Sequence, residues 1–313
     1  MSATLNTPVL FLIFNRPETT ERVFQEIRNA RPARLYVAAD GPREQVPGES
    51  ARVQAARAVL GKVDWPCEVQ TLFRDRNLGC KAAVSSGITW FFDREPEGII
   101  LEDDCLPSKS FFGYCRELLA RYRNETRVMM IGGTNYVADA VHLPASYCFS
   151  RYFSIWGWAS WRRVWKQYDI EMKDWPRRKK EQELRRFYEQ GFMRRHMAQL
   201  FDLAYEGRVD TWDAQFAYSC LFHGGLSAVP GVNLISNIGA IGTHTAANVK
   251  NVFLPTAEMD AATLVHPGEI SPDRRHDTVF FERLFRKSAY ETARDIARKV
   301  RDAFIHRDDA TRR

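Results

Sequence analysis

Over its first 133 residues the chain alternates short apolar runs with longer stretches in which apolar side chains return every three or four positions. The first run, residues 8–14, is stopped by Asn15-Arg16-Pro17. Thr19 or Thr20 then stands where a helix cap is expected, with Val23, Phe24 and Ile27 facing inward. RLYVAADGPR gives a second strand that ends on Asp40 and turns at Gly41-Pro42, ahead of an Ala-rich helix near residues 49–60. A third strand, CEVQTLF, passes through a turn suited to Asn77 and Gly79 into another helix. The fourth, in GIILEDDCLP at residues 98–107, runs straight into three carboxylates. Strands and helices alternating at this pace predict an α/β fold: a Rossmann-like, mostly parallel sheet with right-handed crossovers and its loops opening on one side.

Glu102, Asp103 and Asp104 are the focus of that arrangement. A short apolar run ending in clustered acids and a proline reads as a buried parallel strand that delivers charge to its C-terminal edge, where open α/β sheets bind ligands. Three adjacent acids repel one another and are costly to bury unpaired, so they need a cation, a hydrogen-bonding ligand or bulk water. An acidic surface turn has the same local sequence, and the preceding strand is what distinguishes this one. The topology gathers Arg16, Asp40, Arg76 and Lys81 at the same crevice, a set suited to a nucleoside diphosphate. Asp40 would accept hydrogen bonds from a base or ribose, and Arg76 with Lys81 would neutralise phosphate at a helix N-terminus. Neither GxGxxG nor GxxxxGK[ST] occurs, which argues against a dinucleotide or P-loop site.

The order FNRPETT, AADGPR, RNLGCKAAV, ILEDD resembles the donor half of GT-A glycosyltransferases, over roughly residues 8–245. It is most similar to the inverting N-acetylglucosaminyltransferases that begin complex N-glycan branching, and to bacterial family-2-type glycosyltransferases. The resemblance implies a nucleotide-diphospho-sugar donor and a divalent ion, Mn²⁺ or Mg²⁺. It implies Asp104 as the metal ligand, Asp103 as a ribose or metal-shell group and Glu102 as a donor-sugar contact. It also implies that Asp213, in the Trp-Asp segment VDTWDAQFAYSC, is the general base, with Asp210 as the fallback. An N-cap role for Asp213 is the competing reading, because Thr-Trp-Asp directly precedes an apolar helix. His244, in the late NIGAIGTHT segment, is implied at the metal or diphosphate.

The second half shows a strand at RVMMIGG, whose glycine pair allows close backbone or ligand approach. An aromatic stretch follows, with a Trp156-Gly157-Trp158 turn and a helix from about Ala159. Trp156 and Trp158 are candidate sugar platforms or core aromatics, while Trp161 and Trp165 fit the core. DWPRRKKEQE reads as a charged linker before a long helix. Its Arg177–Lys180 run is a solvated helix start or a contact to a phosphate-bearing acceptor.

Composition narrows the class without changing it. The chain of 313 residues, 45% hydrophobic and 27% charged, is long enough for one large α/β domain and is neither disordered nor membrane-embedded in character. Six scattered cysteines have no CxxC or zinc-like spacing and read as mostly buried thiols. The division expected is a catalytic domain over residues 1–255, with a donor half to about 125 and an acceptor half beyond it. Residues 256–313 would form a linker and a basic amphipathic helix. From residue 281 the tail carries one apolar stripe and ten Lys or Arg against six Asp or Glu, for packing on its own domain, on a second copy as a homodimer, or on an anionic membrane.

The expected function is an inverting, metal-dependent transfer of a sugar, from a UDP-sugar for preference, to a glycan or lipid-linked glycan hydroxyl. Such an activity suits bacterial surface polysaccharide synthesis. A sugar-nucleotide nucleotidyltransferase and a non-catalytic carbohydrate-binding protein are the alternatives. The address expected is cytoplasmic, with peripheral contact at the inner face of the membrane if the tail lies on lipid. No nucleic-acid partner is expected.

Overall fold

The structure, a computed structural model, describes residues 4–239 and 254–285. Its first strand, β1 (Val9–Ile13), buries all five side chains, as a central parallel strand covered on both faces must. Helix α1 (Pro17–Ala30) starts earlier than the expected threonine cap. Pro17 fills its first turn, where a missing N–H costs nothing, and the Thr19 and Thr20 hydroxyls donate back to the Arg16 carbonyl. Next come β2 (Arg34–Ala39), α2 (Glu49–Arg57), β3 (Glu68–Phe73), α3 (Gly79–Phe92) and β4 (Glu97–Glu102). A turn at Asp103-Asp104 leads to β5 (Cys105–Pro107), α4 (Lys109–Arg121) and β6 (Val128–Gly132).

The later chain supplies β7 (Tyr147–Ser150), β8 (Trp158–Trp161), α5 (Arg162–Trp165), α6 (Trp175–Lys180) and α7 (Gly191–Tyr205). It continues with α8 (Asp213–Phe222), β9 (Leu226–Pro230), β10 (Ile235–Asn237) and α9 (Arg274–Phe285). Eight strands form one sheet in the order β3-β2-β1-β4-β8-β6-β9-β7, while β5 and β10 form a separate antiparallel ribbon. β1 to β4 all run parallel, and the pairings of β8 with β4 and β6, and of β7 with β9, are antiparallel. The sheet is therefore mixed, with its first four strands parallel.

The strand ends are level. Leu12 pairs with Glu102, Ile13 with Ala39, and Ala39 with Phe73, so four C-terminal ends share one edge. Between β1 and β4 the connections diverge to opposite sides, which makes this gap the topological switch point, the usual ligand crevice of such sheets.

Two apolar cores hold the layers. One lies along the sheet; the other joins α6, α7, α8 and α9 through Trp175, Met197, Phe201, Tyr218, Phe280 and Phe281. Residues Trp158–Trp161 are a strand, not the start of a helix, because β4 and β6 pair with it from both sides. The expected charged linker contains helix α6, which buries Trp175, and the expected long helix is divided between a short 3₁₀ turn at Glu183–Arg186 and α7. Gly133 serves backbone approach, its N–H reaching the Gly157 carbonyl at 2.8 Å. The segment from residue 254 to 273 runs back over the domain rather than forming a free linker. Its Glu258 carboxylate accepts from the Lys109 and Ser110 amides at the start of α4. The described part of the tail packs inward: Phe281 is buried and rests against Phe192 and His196.

All six cysteines are free, four of them buried. Among the described residues no helix is long and apolar enough to cross a membrane. His244 and the apolar stripe beyond Phe285 lie outside the described residues.

Candidate active site

At the switch point the loop after β1 meets the turn after β4. Arg16, the last residue before α1, donates to both acids of that turn, Nη1 to Asp104 Oδ2 at 2.8 Å and Nη2 to Asp103. Asp103 also accepts the Phe14 amide at 3.0 Å and is nearly inaccessible. The cation that three adjacent acids require is thus supplied from within the chain. Burial works against the Arg16 charge, but Asp103 and Asp104 outweigh it and hold its pKa above the ordinary value. Burial likewise raises Asp103 to about 6, against the pull of Arg16.

Glu102 has no such partner. The residue is half-buried, and its Oε1 is inaccessible and without a hydrogen bond. Burial first, then the charges of Asp104 and Asp103, push it up to about 8, which favours the protonated acid, the form able to donate an O–H.

A crevice of about 300 Å³ opens beside these groups, lined by Arg16, Asp40, Cys80, Glu102, Asp103 and Asp210 among others. The apolar wall comes from Leu12, Ala38, Leu72 and Val84, the ends of β1 to β3 and one face of α3. Arg43 closes the far side, held to the buried Glu49, whose other neighbour is the Asn15 amide. That ion pair first, against burial, keeps Glu49 down at about 2. The Cys80 thiol lies among Glu102, Asp210, Asp213 and Asp40; burial and these charges raise it to about 12, which rules out a ready thiolate nucleophile.

The structure brings only part of the expected set to this crevice. Arg16, Asp40, Glu102 and Asp103 line it, and Asp104 joins through Arg16. Arg76 is exposed and does not line it, and neither does Lys81. Asp40 has its oxygens taken by the Gly41 and Leu78 amides and the Asn77 side chain, so it fixes the turn into α3. The N-terminus of α3, expected to receive phosphate, already carries an anion. Asp210 accepts the amides of Cys80 at 2.8 Å and Lys81 at 2.9 Å. Gly79, at φ +80°, gives it room, since a Cβ there would sit 2.8 Å from the Asp210 carboxylate. This clasp spans 129 and 130 positions of sequence, and no local pattern announces it.

Asp213 opens α8 three residues later. Its Oδ1 accepts the Thr211 hydroxyl and the Ala214 amide, but Asp213 is the first helical residue and not the cap, a position held by Trp212 without a side-chain cap bond; Oδ2 has no partner among the described residues. Its charge is felt at Glu102, Cys80, Tyr136 and Tyr168, although, unlike Asp210, it does not itself line the crevice. Trp158 is corrected from platform to core: it is fully buried and stacks on Trp212. Trp156 is half-buried, its ring 5.3 Å from that of Tyr136. Trp161 and Trp165 are core residues, as expected.

The acidic turn accommodates a divalent ion only in one manner. Asp104 Oδ1 meets no donor but the Cys105 thiol at 3.5 Å, while Oδ2 is shared with Arg16. Among the described residues no three His, Cys, Asp or Glu side chains converge on one point. The donor set fits an ion held by one carboxylate and completed by ligand oxygens and water, as Mg²⁺ is in phosphate sites, and does not fit an ion caged by protein. Ile238 donates its amide to the Asp104 carbonyl at 2.8 Å, which brings Gly239 against the Arg16–Asp104 pair.

No protein-family profile matches the sequence, and no curated protein matches it. Solved structures are similar to about half of the chain. HddC from Yersinia pseudotuberculosis aligns at 7% identity and a TM-score of 0.32, over 52% of this chain and 80% of its own. Residues 1–349 of TarS from S. aureus align at 10% identity and a TM-score of 0.35, over 52% of this chain and 49% of that one. A UDP-glucose pyrophosphorylase complexed with UDP-glucose aligns at 9% identity and 0.31, over 51% and 78%.

Proposed function

We propose that the protein is an inverting glycosyltransferase that moves a sugar from a nucleoside-diphosphate sugar, UDP-linked for preference, to a hydroxyl of a glycan or glycolipid. One observation carries this reading: an acidic turn at the switch point of a parallel sheet, opening on a crevice large enough for a nucleoside. Asp104 would hold Mn²⁺ or Mg²⁺ through Oδ1, the oxygen not paired with Arg16, and the bound ion would neutralise charge on the departing diphosphate. Glu102, neutral and unpartnered, would donate its O–H to the donor sugar. The apolar wall of β1 to β3 would receive the base. Asp213 would take the acceptor proton at Oδ2, with Oδ1 fixed by Thr211 and Ala214 so that the carboxylate keeps its direction. Trp156 would give its half-buried ring to a sugar face, and His244 would meet the diphosphate.

The test is calorimetry with a panel of nucleotide sugars, with and without Mn²⁺. Asp104→Ala should abolish the Mn²⁺-dependent part of binding while the protein stays folded, because Arg16 keeps its ion pair with Asp103 when the one with Asp104 is lost. Unchanged affinity would overturn the metal assignment, and no nucleotide-sugar binding by the native protein would overturn the function.

A further inference from the structure

A second concave site lies away from the crevice, where α6, the 3₁₀ turn at Glu183–Arg186 and the start of α7 meet. It encloses about 310 Å³, and its charged side chains are all basic: Arg178, Lys179, Arg185, Arg194 and Arg195. Two of these are balanced from behind. Lys179 pairs with Asp202 at 2.8 Å and Arg178 with Glu183 at 2.9 Å, although Arg178 Nε is itself buried without a partner. Among the described residues the other three have no acid. Arg194 donates only to the carbonyls of Tyr188 and Glu189, and the exposed side chains of Arg185 and Arg195 make no hydrogen bond or ion pair among the described residues.

Like charges do not gather in one hollow for stability, since each raises the cost of the others. The backbone adds to the same field. Helix α7, 15 residues long, begins here, and Gln190 gives its first amides no side-chain cap. Its first residue is Gly191, which lines the hollow. With no side chain there, a ligand can approach the helix start, between Arg194 and Arg195 whose guanidinium nitrogens lie 3.5 and 3.7 Å from where a Cβ would be. Uncapped amides at the positive end of a helix, flanked by planar guanidinium forks, match the tetrahedral, multiply charged oxygens of phosphate better than a single carboxylate.

We propose that this groove is a binding site for a phosphate-bearing ligand, a phosphomonoester or diphosphate, separate from the donor crevice. The site does not depend on the glycosyltransferase reading. The phosphate belongs either to a soluble anion or to a lipid headgroup, and the same arginines recognise both.

Inorganic pyrophosphate, titrated calorimetrically without divalent ions, is the first probe, on the native protein and on R185Q/R195Q. Both side chains are exposed and unpaired, so the double variant should keep the native melting point. The native protein should bind, weakening as salt rises, and the variant should bind at least tenfold more weakly. Vesicles of phosphatidylcholine with and without phosphatidic acid then distinguish the source. Co-sedimentation that requires phosphatidic acid and is lost in the variant assigns the site to a lipid headgroup. Pyrophosphate binding with no co-sedimentation assigns it to a soluble anion. No pyrophosphate binding by the native protein, or equal binding by both proteins, overturns the proposal.

Discussion

Arg16 Nη1 lies 2.8 Å from Asp104 Oδ2, so a guanidinium from the loop after β1 holds one oxygen of the carboxylate whose other oxygen would take a cation. The two positive groups compete for one carboxylate. Arg16→Gln should therefore tighten Mn²⁺ binding to the nucleotide-free protein, read by titration calorimetry. It should also lower stability by about 3 kcal/mol, because Asp103 loses its partner while still buried. Unaltered Mn²⁺ affinity would mean that Arg16 and the ion do not share Asp104.

Asp213→Asn separates acceptor chemistry from donor binding. The amide keeps the shape and can still accept from Ala214, but it cannot take a proton, so turnover should fall by a factor on the order of 10² to 10⁴. Donor affinity should hold within about twofold. A variant that retains specific activity and merely melts earlier would reduce Asp213 to its part in the helix start, and Asp210 is a poor substitute because both of its oxygens are committed to α3.

The acidic turn should leave a signature in stability against pH. Glu102 titrates at about 8 in the folded protein and Asp103 at about 6, both above the ordinary carboxylate range of about 4. Between those values the folded state holds more protons than the unfolded one. Their stabilisation is therefore complete below pH ~4 and lost as pH rises through 6 and then 8. Glu49, at about 2, acts in the opposite sense and only at far lower pH. Burial holds the His196 and His266 imidazoles below their ordinary value and acts in the opposite sense over this range, so the signature is a difference: from pH 5 to 8.5 the melting temperature of the native protein should fall relative to that of Glu102→Gln. Parallel curves would remove Glu102 as the source.

Phe281→Ala tests how the last described helix is held. The side chain is 2% exposed and packs on Phe192, His196 and Tyr152, so its truncation should cost about 3 to 5 kcal/mol in urea unfolding. A loss below about 1 kcal/mol would show that α9 contributes little to the fold.

How far the sequence could be read divides along physical lines. β1, β2 and β4 were legible because a strand buried on both faces has to be an unbroken apolar run, and the acids after β4 were legible because charge ends such a run abruptly. Trp158–Trp161 was not. Four residues with a tryptophan at each end have no period long enough to separate strand from helix, and pairing with β4 and β6, tens of residues away, decided it. The need for a cation at the triplet followed from electrostatics alone, but that Arg16 would supply it did not. Nor did the hold of Asp210 on Cys80 and Lys81: a carboxylate beside Asp213 looks like a spare base until the fold brings α3 beneath it.

That hold has a consequence for how the protein is made. The amides of Cys80 and Lys81 leave the ribosome some 130 residues before the carboxylate that accepts them. Until then α3 begins with bare N–H groups and the crevice lacks one wall. Contacts of such long sequence separation form late, since the intervening chain has to be ordered first. The nascent parallel half of the sheet therefore has an unfinished crevice until Asp210 emerges, and Asp213 follows it by three residues. Synthesis completes the pocket and delivers the proposed proton acceptor within the same turn of chain.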